Sequence, residues 1–349
     1  MAWMIYGASG HTGHLVTELA AARGLRPVLA GRSAQRLRPI ADRFGLEYRV
    51  FDLAAPAAIR AGLRGIDAVA HCAGPFSATA RPMVDACLAA GAHYLDITGE
   101  IDVFEDVYAR HAEAERAGVV LLPGAGFDVV PTDCVAAVLA GRLPQANYLD
   151  LAFSAHVALG PGTVKTVIEG AGDGGRARVD GTLRHVALGH KRVTAAFPAG
   201  ERVVTAIPWG DVSSAYRSTG IPNITTYTVV PGGTVLPAFQ RIGAPLLRRA
   251  TVQRAACSVA DRVVRRGAEL DSRGGSQVWG EARDPSGDRV AMTLRGPNAL
   301  PLTADSVVRS AERLAAGAVP PGAHTPSTAF GARFAAELDG VELGEPVQT

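Results

Sequence analysis

Across roughly the first 130 residues, short apolar runs alternate with stretches of helical periodicity, and this alternation limits the possible folds more than any single residue does. The runs read AWMIYG, RPVLAG, EYRVFDL, DAVAHCAG, HYLDITG and VVLLPGAG. Strands separated by helix-length segments do not close as tight hairpins. Each connection crosses over instead, and neighbouring strands become parallel. Strands buried on both faces are apolar almost without interruption, as DAVAHCA and VVLLP are. Between them, Leu15, Val16, Leu19 and Ala20 share one helical face ahead of Gly24, and Leu37, Ile40, Ala41 and Phe44 share another between Ser33 and Gly45. The expected fold is α/β, with a Rossmann-type doubly wound parallel sheet over residues 1–130.

After residue 131 the pattern changes. YLDLAFSAHVAL, RARVDGTLRHVAL, KRVTAAF, RVVTAIPW and ITTYTVVP read as longer strands of more alternating polarity, and one helical segment, GTVKTVIEGAG, interrupts them. They predict a second α+β domain over 131–304, built on a mixed or antiparallel sheet. QVWGEARDPSGDRVAMTLRG reads as a hairpin turning at Asp284–Pro285–Ser286–Gly287. Two closing helices, ADSVVRSAERLAAG and STAFGARFAAELDG, are expected to pack back on the first domain as residues 305–349.

With 48% hydrophobic and 19% charged residues among 349, the chain has material for a buried core, and a formal net charge of +2 offers nothing to a nucleic acid or a membrane surface. Cys72, Cys87, Cys134 and Cys257 form no CxxC pair, which predicts reduced thiols and no metal site. The N-terminus has no basic segment ahead of its apolar run, and no uncharged stretch approaches the roughly 18–20 residues that span a bilayer. A soluble, cytoplasmic protein is expected.

The chemistry starts at MIYGASGHTGHLV, where Gly7, Gly10 and Gly13 fall between the first predicted strand and helix. A helix N-terminus offers free N–H groups and partial positive charge to a pyrophosphate, and glycines let the phosphates approach the backbone. Ser9, His11 and Thr12 lie on the same turn, on the phosphate side or as capping residues. The spacing is GxxGxxG, where the usual fingerprint is GxGxxG. Folds that bind NAD place an acid roughly 20 residues past the turn, for the ribose 2′-hydroxyl. LAGRSAQRL supplies Arg32, Ser33 and Arg36 there instead. A guanidinium fork suits a 2′-phosphate, so the predicted cofactor is NADP(H). The other reading makes Ser33 a helix cap and leaves both arginines to solvent. Asp52, ending the third strand, is placed near the adenine or in an ordinary turn. Ala73, Gly74 and Pro75 follow the fourth strand, where backbone can pass close to the nicotinamide ribose, and Phe76 either walls that pocket or fills the core.

GASGHTG, AGRS, CAGPF, YLDITGE and GFDVVPTD resemble the saccharopine dehydrogenase-like oxidoreductases, including the trans-acting enoyl reductases of actinobacterial lipid and polyketide pathways. VWGEARDPSG, LTADSVVRSAERLAAG and GAHTPSTAFG continue the resemblance over most of the chain. It implies a Rossmann domain, a second domain that also mediates dimerisation, hence a homodimer, and NADP-dependent reduction. It leaves the substrate open, because saccharopine reduction, carboxynorspermidine synthesis and enoyl reduction share the scaffold. Lys165 in GPGTVKT stands where the resemblance leads one to expect a small or polar residue.

Hydride delivery to an enoyl thioester leaves an enolate that needs an oxyanion stabiliser and an acid, whereas an imine wants carboxylates near its cation. Tyr94, Asp96 and Glu100 stand at the end of the fifth strand, where the carboxylates either bind a polar substrate or close a loop. GFDVVPTD adds Asp128 and Asp133, the latter also a natural helix start. Lys165, between Thr163 and Thr166 at a predicted helix start, is the preferred donor, and a surface lysine is the alternative. Tyr94 and Glu100 complete the catalytic set. His156 reads as packed, and no His/Cys cluster suggests a metal. Residues 235–266 interleave arginines with apolar residues; they suit an acyl carrier protein, a coenzyme A tail or a membrane surface, or else a domain face or dimer contact. The expected activity is NADPH-dependent reduction of a C=C bond in an enoyl thioester or related small-molecule intermediate. The rivals are a C=N reductase of an amino-acid-type substrate, with Arg176, Arg178 and Arg184 available to its acidic ends, and a non-catalytic NADP-binding scaffold.

Overall fold

The computed structural model describes residues 2–155, 174–230 and 275–349. The chain divides into two units, Met1–Val130 with Leu300–Gly331, and Pro131–Ala299 with Ala332–Thr349.

In the first unit, strands β1 (Trp3–Tyr6), β2 (Val28–Gly31), β3 (Tyr48–Val50), β4 (Ala68–His71), β5 (His93–Asp96) and β6 (Val120–Leu122) alternate with helices α1 (His11–Ala22), α2 (Ala34–Phe44), α3 (Pro56–Gly62), α4 (Phe76–Ala90), α5 (Ile101–Ala109) and α6 (His111–Ala117). The sheet is parallel and, among the described residues, seven-stranded: Gly322–Ala323 lies beside β6, followed by β5, β4, β1, β2 and β3. The seventh strand is two residues long, too short to leave an apolar run in the sequence. Side chains alternate between the faces. Met4, Tyr6, Val69 and Tyr94 pack with Ile59, Leu63, Met83 and Cys87 on one side. Ile5, Leu29, Ala70 and Leu95 pack with Val16, Leu37, Val307 and Val308 on the other. Each fully buried Val, Leu or Ile contributes about 1.5–3 kcal/mol, so both faces of these short strands are needed. The order reverses between β1 and β4, and ligands of such sheets collect outside the strands' carboxyl ends at that switch point.

The second unit holds a mixed sheet, ten-stranded among the described residues, in which β10 (Arg192–Phe197) and β11 (Gly200–Ile207) pair antiparallel. Its centre is β7 (Tyr148–Ala155), parallel to β12 (Asn223–Thr228) and antiparallel to β13 (Ser276–Arg283). Gly280 lies under helix α7 (Val130–Arg142), where a Cβ would come within 2.6 Å of Val135 and 2.9 Å of Leu139. β13 pairs with β14 (Arg289–Gly296) across the expected turn, where Asp284 Oδ1 accepts the N–H of Ser286 at 2.9 Å.

Three expectations change. RARVDGTLRHVAL is a hairpin of β8 (Gly175–Val179) and β9 (Thr182–Val186), because Asp180 and Gly181 take positive φ of 48° and 73° and fold the chain back. STAFGARFAAELDG is two short pieces, Pro326–Phe330 and the 3-10 turn Phe334–Glu337, broken at Gly331 with φ 98°. Residues 332–349 do not return to the first unit as expected of 305–349. Glu342–Leu343 and Val347–Gln348 pair with β14, because that strand offers backbone donors and acceptors beyond β13. Among the described residues no helix is long and apolar enough to cross a membrane, and no cluster of metal-ligating side chains forms.

Candidate functional site

The three glycines of the β1–α1 turn do different work. Gly7 has φ +89°, its N–H donates to Ala30 O at 2.8 Å, and a Cβ on it would sit 2.9 Å from both Cβ and N of Ala73 beyond β4. Gly13 seats α1 on the turn: its Cβ would overlap the Gly7 carbonyl oxygen and come within 2.9 Å of Ala8 Cα. A Cβ on Gly10 would meet only Gly7 O, at 3.1 Å. So Gly7 and Gly13 are required by packing, and Gly10 is the one that keeps the exposed side of the turn bare. Gly10 is also the N-cap of α1 and no side chain caps the helix. The first-turn N–H groups of His11, Thr12 and Gly13 therefore have no intrahelical acceptor and suit an anion. His11 is exposed, and Ser9 and Thr12 are half-buried beside it.

At the end of β2, Arg32 and Arg36 are exposed. Ser33 is the extended N-cap of α2, yet its hydroxyl makes no capping bond, and no acid stands in the first turn. The capping alternative for that hydroxyl is thus not realised. Nearby, Tyr6 donates to Phe51 O at 3.2 Å, and its phenol is pushed up to about 12 by burial and by Asp52, with Arg32 opposing. Arg32 and Asp52 thus converge on the end of β1. Asp52 Oδ1 accepts the N–H of Ala54 at 2.8 Å, which closes a turn.

Beyond β4, the Thr79 hydroxyl lies 2.7 Å from Ala73 O and 2.9 Å from Pro75 O and donates across the turn, leaving Gly74 exposed. Phe76 is core: it is buried, with its ring edge-on to His71 at 5.4 Å. His71 is fully buried among Tyr6, Phe76 and Tyr94 with neither ring nitrogen hydrogen-bonded, and burial pulls it down to about 3, so it is neutral.

After β5, every second residue makes one link. Tyr94 donates to Asp96 Oδ2 at 2.6 Å, and Asp96 Oδ1 accepts the N–H groups of Thr98 at 3.0 Å and Gly124 at 2.9 Å. Thr98 Oγ1 accepts the N–H of Glu100 at 3.1 Å. Glu100 reaches across to α4, accepting from Phe76 N at 2.9 Å and Ser77 N at 2.7 Å. Two of the residues expected to be catalytic, Tyr94 and Glu100, thus also belong to this hydrogen-bonded strap. Tyr94 is fully buried and bonded to Asp96, and Glu100 is held by a helix N-terminus. The sequence signal for this strap was the two-residue spacing of polar side chains in YLDITGE. Burial raises Asp96 to about 6 despite its three donors, with Glu100 adding to the rise. Burial likewise raises Asp128, after β6, to about 6. Asp133 is buried in the first turn of α7 and accepts from Ser218 at 2.7 Å. Lys165, His156, residues 235–266 and Cys257 lie outside the described residues.

Residues 3–122 match the family model described as the saccharopine dehydrogenase NADP binding domain. Over these residues the chain is similar to that NADP-binding domain. Its cofactor is NADP(H), the dinucleotide that Arg32 and Ser33 predict. A trans-acting enoyl reductase of Mycobacterium ulcerans is 32% identical over 184 residues, which cover 48% of this chain and 43% of that protein. A saccharopine dehydrogenase-like oxidoreductase of Mus musculus is 29% identical over 207 residues, 50% of this chain and 47% of that one. The chain thus spans less than half the length of these curated relatives. A solved apo saccharopine dehydrogenase (L-Glu forming) of Saccharomyces cerevisiae superposes with a TM-score of 0.68 at 12% identity, over 100% of this chain and 99% of that one; it shares the fold.

Proposed function

We propose that this chain is an NADPH-dependent reductase that saturates the C=C bond of an enoyl thioester carried on coenzyme A or an acyl carrier protein. The observation that carries the reading is the uncommitted donor set of the first domain: the uncapped N-terminus of α1 beside an uncommitted Ser33 hydroxyl and an exposed Arg32. The trans-acting enoyl reductase among the relatives favours C=C as the acceptor.

When bound, NADPH supplies the hydride. The N–H groups of His11, Thr12 and Gly13 hold the pyrophosphate, with Ser9 alongside. Arg32 and Ser33 hold the 2′-phosphate, with Arg36 assisting, and Asp52 stands on the adenine side. The Ala73–Gly74–Pro75 turn borders the nicotinamide ribose. Lys165 donates to the thioester oxygen as negative charge develops there. Asp128, whose carboxyl is raised to about 6, is the proton source at the sheet edge. Residues 131–304 bind substrate and join two copies in a cytoplasmic homodimer.

The imine reading has less behind it among the described residues. Arg178, one of the arginines offered to an acidic substrate, is buried, donates to Val212 O at 3.0 Å and stacks on Tyr216 at 4.3 Å. The test is NADPH oxidation with crotonyl-coenzyme A, set beside 2-oxoglutarate plus lysine. Turnover of the thioester alone is expected. Turnover of the oxo acid and amine alone replaces this reading with imine reduction, and NADPH binding without any turnover replaces it with a scaffold.

A further inference from the structure

Helix α4 begins immediately after the Ala73–Pro75 turn, at the carboxyl edge of the sheet and next to the Gly7 turn. A fifteen-residue helix starting there would ordinarily present an anion site, through its free N–H groups and its partial positive charge. In this chain that position already contains a carboxylate. Both oxygens of Glu100 are engaged, one on Phe76 N and one on Ser77 N. The backbone at Glu100 is fixed from behind: Thr98 Oγ1 holds the N–H of Glu100, Asp96 holds the N–H of Thr98, and Asp96 is in turn held by Tyr94 and Gly124. With a fully buried tyrosine at its root, the strap delivers Glu100 to one place. The result is a full negative charge where the fold would otherwise attract one.

We infer that Glu100 determines specificity, by excluding anionic groups from the reacting end of the cofactor site and so restricting the substrate to one uncharged next to its double bond. The inference rests on the reductase reading above and narrows its substrate class. In an imine of the amino-acid type, the carbon that accepts hydride carries a carboxylate, and that carboxylate would meet Glu100. In an enoyl thioester the acceptor carbon is flanked by neutral groups. Like charges a few ångströms apart at a partly desolvated sheet edge repel far more strongly than in water.

The test is a binding measurement that needs no turnover. Protein loaded with NADP+ is titrated calorimetrically with 2-oxoglutarate and with its neutral dimethyl ester, for the wild type and Glu100→Gln. The substitution removes the charge, keeps one acceptor oxygen and frees one N–H. Its expected effect is a rise in 2-oxoglutarate affinity of at least about tenfold, with no matching rise for the ester. An affinity for 2-oxoglutarate within about threefold of the wild type, or a wild type that prefers the acid to the ester, overturns the inference. If Glu100→Gln does not fold, Thr98→Val loosens the Glu100 anchor from behind. It should raise 2-oxoglutarate affinity in the same direction by a smaller factor, and no rise overturns the inference. Failure of the reductase reading shows separately, as absent oxidation of NADPH by crotonyl-coenzyme A.

Discussion

Glu100 Oε1 accepts the backbone N–H of Phe76 at 2.9 Å, across 24 residues of chain, and so ties the loop after β5 to the start of α4. Removing it should cost what other helix caps cost. Glu100→Ala is expected to lower unfolding free energy by about 1–2 kcal/mol, read from urea midpoints at constant m. An unchanged midpoint would mean that water serves the two N–H groups equally well.

The glycines of the first turn should separate in experiment. Gly13→Ala puts a Cβ against the Gly7 carbonyl, a backbone atom that cannot step aside, and should destabilise the fold by about 1–3 kcal/mol. Gly10→Ala meets one atom at 3.1 Å and should leave the melting temperature nearly unchanged. Because its methyl stands on the bare side of the turn, it should weaken NADPH binding by about tenfold or more. Equal melting temperatures for the two variants would contradict this division of roles.

In the proposed binding mode, Arg32→Ala removes a charge-assisted partner of the 2′-phosphate, worth about 1.5–3 kcal/mol, or roughly 10–100-fold in NADPH affinity. NADH lacks that phosphate, so its affinity should hardly move. The quantity to measure is the ratio of the two dissociation constants by fluorescence titration. A parallel loss for both cofactors would place Arg32 elsewhere on the dinucleotide.

Asp96 makes stability depend on pH in an unusual direction for a carboxylate. Its folded value, about 6, lies above the ordinary 3.8, so the native state binds the proton more tightly than the unfolded chain. Stability from this group is therefore fully present below pH ~3.8 and is lost as pH rises through ~6, by about 3 kcal/mol for a shift of about two units. His71, lowered to about 3 from 6.5, acts oppositely and removes stability as pH falls below ~6.5. The two partly cancel in the wild type, so the difference between wild type and Asp96→Asn isolates the carboxylate. That difference should shift against the wild type between pH 4.5 and 8 in urea unfolding. A constant difference would show that the three donors to Asp96 offset its burial.

Much of this protein is written locally in its sequence. The apolar runs specify β1 to β6, because a strand buried on both faces must be apolar throughout. Gly7, Gly10 and Gly13 shape the turn between β1 and α1, and Arg32 with Ser33 carry the proposal for the phosphate bound there, since both signals depend on residue type at short spacing. What the sequence left open are matters of reach. Gly322–Ala323 is a strand only because β6 lies beside it, and 332–349 pair with β14 through backbone groups that every residue possesses. The partners of Tyr94 and Glu100 are open in the sequence for the same reason. A polar side chain at a strand's carboxyl end is equally suited to a substrate or to a neighbouring loop. Only the tertiary structure shows which neighbours they meet, Phe76 and Ser77 for Glu100 and Asp96 for Tyr94. Unpaired N–H groups at a helix start are costly, and whichever carboxylate the tertiary structure delivers there becomes part of the framework.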